Sequence, residues 1–325
     1  MWKYLSKDEE TKFLLSLNLI NGNNQSEMLN KIYTISNNIE NNYKVFKINK
    51  KNGKTRTIYE PNNNLKIIQK NILHNILEDR YTSVHAKAYK KGISLKDNAI
   101  IHSNKDMILK LDIKNFFDNI TFMQVYCTCF PEKYFPKSIG TLLTNLCTYK
   151  DKLPQGSPSS SYISNLVLLD FDIKVGNYCK KHNISYTRYC DDMTFSGFTK
   201  KDEIISLVSS ELNKIGLSLN KEKIKLISQK NRQVVTGIVV NEKIQVNVDY
   251  RKKIRQEIFY IKKYGIDSHL NYKNITISKH KYLNQLLGKI NFVLQIDNKN
   301  NQFIEYKSYI LKLIKNIDQL QFKEY

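Results

Sequence analysis

Asp112, Asp191 and Asp192 are the residues whose types and spacing could do chemistry. Asp112 closes the mostly apolar run Met107–Leu111, so it stands at the end of a strand expected to be buried. A charge there is costly unless it is paired or binds a metal. Taken alone, the segment reads as a strand-end acid capping the next helix. Asp191 and Asp192 are neighbours at a tight turn between the apolar and aromatic strands 184–189 and 193–196. Adjacent carboxylates repel, and such a pair persists most readily where a cation neutralises it. An isolated Asp-Asp turn is common, whereas a buried hairpin with two acids at its tip is not. If the strand of Asp112 lies beside that hairpin, three carboxylates converge. Two divalent ions about 3.5–4 Å apart could then clamp an in-line phosphoryl transfer. One ion would activate the attacking hydroxyl, and the other would hold a triphosphate and its leaving pyrophosphate.

Between the first acid and the pair lies Leu153-Pro-Gln-Gly-Ser-Pro-Ser159. Gly156 would let the backbone approach a nucleotide closely. Ser157-Pro158 reads as an N-cap followed by a first-turn proline. Amides at that helix start would favour phosphate. The stretch is by itself a turn and a cap, and its place in chain order is what gives it weight. The helix it opens is expected to reach about His182.

The elements that must position these groups follow from periodicity. Residues 1–40 read as helices around Phe13, Leu14, Leu17 and Leu19. Residues 43–48 and 54–59 alternate as strands across the turn Asn49–Gly53, and Pro61 ends that hairpin. Leu65, Ile68, Ile72, Leu73 and Leu77 fall at helical spacing. Residues 202–215 form another amphipathic helix, and the chain from about Tyr250 is helical and lysine-dense. Strands and helices alternate only in the middle, which predicts an α+β core flanked by helices.

Composition sets the partner class. A formal net charge of +22 among 325 residues points to a polyanion, and the 21 tyrosines tilt that toward nucleic acid. A solvated lysine-rich surface is the plain alternative. No run of 18 apolar residues exists, so no membrane partner is expected. Nor does the N-terminus carry a secretory h-region, so the expected location is cytoplasmic. Cys127 and Cys129 lack a partner pair at zinc spacing, and the five cysteines are expected to be reduced and mostly buried.

The ordered set Asp112-x4-Phe117, then Leu153–Ser159, then Tyr189-Cys-Asp-Asp192 resembles the palm motifs of reverse transcriptases. Gly216–Asn220 with Lys223 looks like the next motif, and Arg56–Tyr59 followed by Pro61 looks like the fingers hairpin of bacterial members. Asn98-Ala99-x-x-His102 and Val235-Thr236-Gly237 are similar to motifs of retron reverse transcriptases. Each piece is weak alone, and the ordered set over roughly residues 50–240 is highly specific.

The resemblance implies a right-hand polymerase with an antiparallel-sheet palm. Its expected divisions are fingers at 1–105, palm at 106–247 with a fingers portion interleaved about 125–160, and a helical thumb at 248–325. It implies that Asp112, Asp191 and Asp192 hold two Mg2+ ions, with Mn2+ as the substitute. Lys223 would give a proton to pyrophosphate. Phe117 would reject a ribose 2′-hydroxyl, Gln155 and Gly156 would line the nucleotide, and Arg56 would meet the triphosphate. Cys190 stands where alanine is often found in the family. Asn98, His102, Val235, Thr236 and Gly237 would serve RNA binding.

As a retron enzyme the chain would use deoxynucleoside triphosphates to copy its cognate non-coding RNA. Priming from a guanosine 2′-hydroxyl, it would leave a branched RNA–DNA, in an anti-phage system with a separate effector protein. The length fits an enzyme without maturase, nuclease or RNase H extensions. The rivals are a group-II-intron-like or other bacterial defence reverse transcriptase, and an idle RNA-binding protein of palm shape.

The C-terminal block is read from charge and periodicity. On a helix over 250–264, Ile254, Ile258 and Ile261 share one face while cations lie on others. A solvated basic face is the ordinary reading. The sharper expectation is that Arg251, Lys252, Lys253 and Arg255 grip the phosphates of the partner RNA.

Overall fold

The computed structural model describes residues 2, 5–49, 53 and 55–321. Helix α1 (Lys7–Ser16) starts at Ser6, whose hydroxyl accepts from the Glu9 amide while the Glu9 carboxylate takes the Ser6 N–H. Asn24 caps α2 (Gln25–Asn37) in the simpler way. Strands β1 (Tyr43–Asn49) and β2 (Thr55–Pro61) pair antiparallel from Tyr43↔Pro61 to Asn49↔Thr55. Of the expected turn and strand start, residues 50–52 and 54 lie outside the described residues. Helix α3 (Asn63–Ile72) runs into a wider turn over Leu73–Leu77, and both carry the predicted apolar face.

Next come the short α4 (Leu95–Ala99) and β3 (Met107–Asp112), then α5 (Phe122–Cys129) and α6 (Lys137–Cys147). The helix expected to run from Ser157 to His182 is two helices, α7 (Ser160–Val167) and α8 (Leu169–Lys181). Leu168, with ψ near 7°, interrupts them. Ser157 is not the cap, because its hydroxyl pairs with that of Ser159 at 3.1 Å and the helix opens only after Ser159.

Strands β4 (Ser185–Tyr189) and β5 (Asp192–Ser196) form the predicted hairpin, followed by α9 (Lys201–Lys214) and β6 (Lys225–Ser228). A small antiparallel sheet of β7 (Val234–Val235), β8 (Ile238–Val239) and β9 (Gln245–Val246) precedes three long helices. These are α10 (Val248–Tyr272), α11 (Lys279–Ile296) and α12 (Asn301–Gln321).

Two compact units result. The first joins Met1–Ile93 to Leu109–Leu226 around a core that includes Leu65, Ile68, Leu111, Leu143 and Phe195. It holds the hairpin β1–β2, and β3 stands between β5 and β6 in the strand order β4-β5-β3-β6. The second joins Ser94–Ile108 to Ile227–Tyr325. Its core packs Ile254, Ile258 and Ile261 with Leu283, Leu286 and Ile290, so the apolar stripe read from spacing is buried. Gly265 takes φ 78° and breaks α10. Across the break, Glu257 is joined to His269 at 2.7 Å and also to Lys273 and Tyr282. Among the described residues no helix is long and apolar enough to cross a membrane.

Candidate active site

Strand order brings the acids together. Asp112 ends β3, and β5, which Asp192 opens, is its neighbour in the sheet. The Ile113 amide donates to the Asp191 carbonyl at 3.1 Å, tying the turn to the end of β3. Cys190 turns the corner with φ 60°, a left-handed conformation. The Asn220 amide donates to the Asp112 carbonyl at 2.8 Å and so anchors the loop that carries Lys223.

All three acids line one cavity of about 880 Å3, together with Arg56, Phe117, Gln155 and Lys223. The residues that sequence reasoning named as metal ligands and nucleotide contacts therefore meet, with Gly156 as the exception. A Cβ on Gly156 would lie 2.5 Å from the Tyr59 carbonyl oxygen. Gly156, with φ 128°, thus admits the backbone of β2. The Tyr59 amide donates to the Gln155 carbonyl at 2.8 Å, which fixes the loop to the strand carrying Arg56.

Charge is crowded here. Burial raises the Asp112 carboxyl above its ordinary value, and the Asp191 charge adds to this while Lys223 opposes it. Desolvation, then Asp191, likewise raises Asp192. Burial works against the Lys223 ammonium, yet its hydrogen bond to Asp112 and the neighbouring acids hold it above the usual lysine range. Lys223 Nζ donates to Asp112 Oδ2 at 2.7 Å. Among the described residues no three His, Cys, Asp or Glu side chains close around a single cation position. The donor set still fits a hard divalent cation, because it offers carboxylate oxygens whose mutual repulsion a cation relieves.

Sequence reasoning missed Tyr89 and Lys152, which also line the cavity. Lys152 directly precedes the Leu153–Ser159 loop, and that adjacency was a usable signal. Tyr89 gave none, since it reaches the turn only in space, where its hydroxyl meets Cys190 Sγ at 3.4 Å.

The residues expected to serve RNA binding divide by exposure. Asn98, His102 and Val235, expected to serve RNA binding, are at most 1 % exposed. Burial, helped by Lys105, pushes the His102 imidazole down to about 3, so it stays neutral. Asn98 donates to Thr236 Oγ1 at 3.3 Å and braces the β7–β8 turn. There Thr236 (φ 46°) and Gly237 (φ 85°) both take the left-handed conformations that a two-residue hairpin turn demands. Gly237 is exposed and Thr236 partly so. On α10, Lys252 and Lys253 are exposed. Arg255 donates to Gln302 Oε1 at 2.7 Å, and Arg251 to Gln245 Oε1 at 3.3 Å.

The sequence profile of reverse transcriptases (RNA-dependent DNA polymerases) matches residues 48–258, and the chain belongs to this family. Its relatives include retron enzymes. The retron Ec86 reverse transcriptase of Escherichia coli is 30% identical, over 84% of this chain and 82% of its own. The retron Ec83 enzyme of the same species is 30% identical over 85% and 89%. The retron Se72 enzyme of Salmonella heidelberg is 32% identical over 76% and 67%. The resemblance read from the motifs is thus borne out, as is the right-hand α+β polymerase class. Enzymes of this family use divalent metal ions and a nucleic-acid template.

Proposed function

We propose that the chain is the RNA-directed DNA polymerase of a retron, working by two-metal nucleotidyl transfer at Asp112, Asp191 and Asp192. The observation that carries this reading is the convergence of those acids with Arg56, Phe117, Gln155 and Lys223 in one cavity. Its fingers are residues 1–105 with a portion interleaved about 125–160, its palm 106–247 and its thumb 248–325. Its template is a cognate structured RNA, its product a branched RNA-linked DNA, and its setting a cytoplasmic anti-phage system with a separate effector protein.

Bound Mg2+ at the three carboxylates supplies charge neutralisation and a more acidic attacking hydroxyl. The chain's own groups do the rest. The Arg56 guanidinium receives the triphosphate in the forked geometry that suits phosphate oxygens. The Phe117 ring sits under the sugar and leaves no room for a 2′-hydroxyl. Lys223 holds a proton on Nζ beside Asp112 and passes it to the departing pyrophosphate.

Two measurements test this. Nucleic acid copurifying with the chain should contain DNA covalently joined to RNA, and recovery of unlinked host RNA alone would remove the retron assignment. Asp191→Asn should abolish magnesium-dependent primer extension on RNA while RNA affinity stays within about twofold, because the backbone contacts that dominate affinity lie elsewhere. Extension near the wild-type rate would remove the two-metal assignment.

A further inference from the structure

Among the described residues Arg188 is the largest side chain buried without solvent contact, and it lies two residues before Cys190, which turns the chain into Asp191 and Asp192. Its guanidinium uses both edges. Nε donates to Asp172 Oδ1 at 2.9 Å and Nη2 to Asp172 Oδ2 at 2.6 Å, forming a forked ion pair with an aspartate that is itself 0 % exposed. Nη1 donates to the Asn165 side-chain oxygen at 3.1 Å and to the Cys190 carbonyl at 3.0 Å. Tyr186 adds a hydroxyl bond to Asp172 Oδ1 at 2.7 Å.

The backbone of Arg188 is pinned as firmly. Its amide donates to the His85 carbonyl at 2.8 Å, its carbonyl accepts from the Lys87 amide at 2.7 Å, and across the hairpin it faces Met193.

The bond to Cys190 singles this network out. A guanidinium paired only for packing would need no acceptor at the corner of the turn. Here the acceptor is the carbonyl of the left-handed residue whose next two neighbours are the acids. The contacts also close a ring that runs through two residues lining the cavity, Tyr89 and Cys190. Asn165 donates from its amide nitrogen to the Ala88 carbonyl at 2.9 Å, and the next residue, Tyr89, reaches Cys190 Sγ. Asn165 lies on α7, the helix that opens after the Gln155 loop, and Asp172 lies on α8. One buried cation thus joins two helices, the loop carrying Tyr89 and the corner of the acid turn.

A buried ion pair is seldom the most stable choice, since apolar residues of similar volume often replace it without loss. A charged pair buried beneath this turn calls for another reason. We propose that Arg188 is a positioning residue for the polymerase reaction, with Asp172 as its anchor: the pair fixes the Cys190 carbonyl, and through it the orientation in which Asp191 and Asp192 meet their metal. The inference rests on the polymerase reading above.

The experiment replaces the pair as a unit, with R188M together with D172L, so that no charge is left buried alone. Thermal unfolding reports the fold. Primer extension at varied deoxynucleotide and magnesium concentrations reports the site. The expected result is a double variant that unfolds within a few degrees of wild type. It should lose about tenfold to a hundredfold in kcat and need several times more magnesium for half-maximal rate. Its deoxynucleotide KM and RNA affinity should change less than about threefold. A folded double variant with wild-type kcat and magnesium requirement overturns the proposal, since a purely structural pair would behave that way.

Arg188→Lys supplies the same test should the double variant fail to fold. Lysine keeps the charge for Asp172 but lacks the fork that reaches Asn165 and Cys190 together. It should fold, extend slowly and need more magnesium, and wild-type kinetics in it would equally sink the idea. Wild-type protein in the same assay separates the two readings. If wild type itself fails to extend, the polymerase reading falls; if it extends and the variants match it, only the positioning role falls.

Discussion

Lys223 Nζ rests 2.7 Å from Asp112 Oδ2, so that a largely exposed cation is bonded to a buried carboxylate and both line the cavity. Removing the ammonium leaves Asp112 crowded by Asp191 with no internal cation beside it. Lys223→Met should therefore slow extension by about a hundredfold or more, the scale on which a positioned proton donor acts. The deoxynucleotide KM should shift much less. Rapid-quench single-nucleotide addition measures this, and an unchanged rate would take Lys223 out of the reaction.

Phe116 and Phe117 both line the cavity, but Phe116 is buried at 3 % exposure while Phe117 is partly open. Phe117→Ala should raise ribonucleotide incorporation relative to deoxynucleotide incorporation. Its cost in stability should fall below the roughly 3–5 kcal/mol of a core phenylalanine, since the ring is only half packed. Competition between the two nucleotide types gives the ratio. A folded variant with unaltered selectivity would show that the ring is only packing.

Gly156 faces the Tyr59 carbonyl with no space for a methyl group. Gly156→Ala combines a disfavoured φ with backbone overlap, so a loss of about 1–3 kcal/mol is expected. Strand β2 must yield, and it carries Arg56. The variant should thus show a lowered melting temperature and a raised KM for the triphosphate. A rise in KM without loss of stability would mean that Gly156 meets the nucleotide itself, as the sequence first suggested.

Lys252 and Lys253 are exposed, whereas Arg255 is engaged with Gln302 and lies 5.9 Å over the Phe303 ring. These three cations should therefore separate in function. Lys252→Ala with Lys253→Ala should weaken RNA binding and lower its salt slope by about 0.7–0.9 per lost phosphate contact. Arg255→Ala should mainly destabilise the C-terminal helices. Filter binding at several salt concentrations, beside melting curves, distinguishes these. If the double lysine variant keeps wild-type affinity and slope, this face is only solvated.

What the sequence made legible was local. The β4–β5 hairpin declares itself through its apolar flanks, and α3 and α10 through apolar spacing. The three acids could be brought together because each sits at a strand end or turn and because the chain order matched a known set. What stayed hidden depended on distant partners. Nothing around Arg188 says that it is buried, because its partner Asp172 lies on a separate element, helix α8, and a strand arginine is ordinarily exposed. Tyr89 is separated from Cys190 by two strands of the sheet, β3 and β4, and five α-helices in chain order. Asn98 and His102 looked like recognition residues, but polarity in a motif does not distinguish a group that touches a ligand from one that braces a turn from within.

The second unit is built from two stretches of chain, Ser94–Ile108 and Ile227–Tyr325, with Leu109–Leu226 of the first unit between them. Ala99 and Ile108 belong to the same core as Val235, Leu283 and Ile290. During synthesis the early piece must therefore wait, with its apolar residues uncovered, until the ribosome has delivered the late one. The first unit can close before that, since its last segment ends at Leu226. Assembly of the polymerase is in this sense ordered by the chain itself. The catalytic body is available first, and a message cut short in the C-terminal helices leaves a body whose excursion at 94–108 has nothing to fold against.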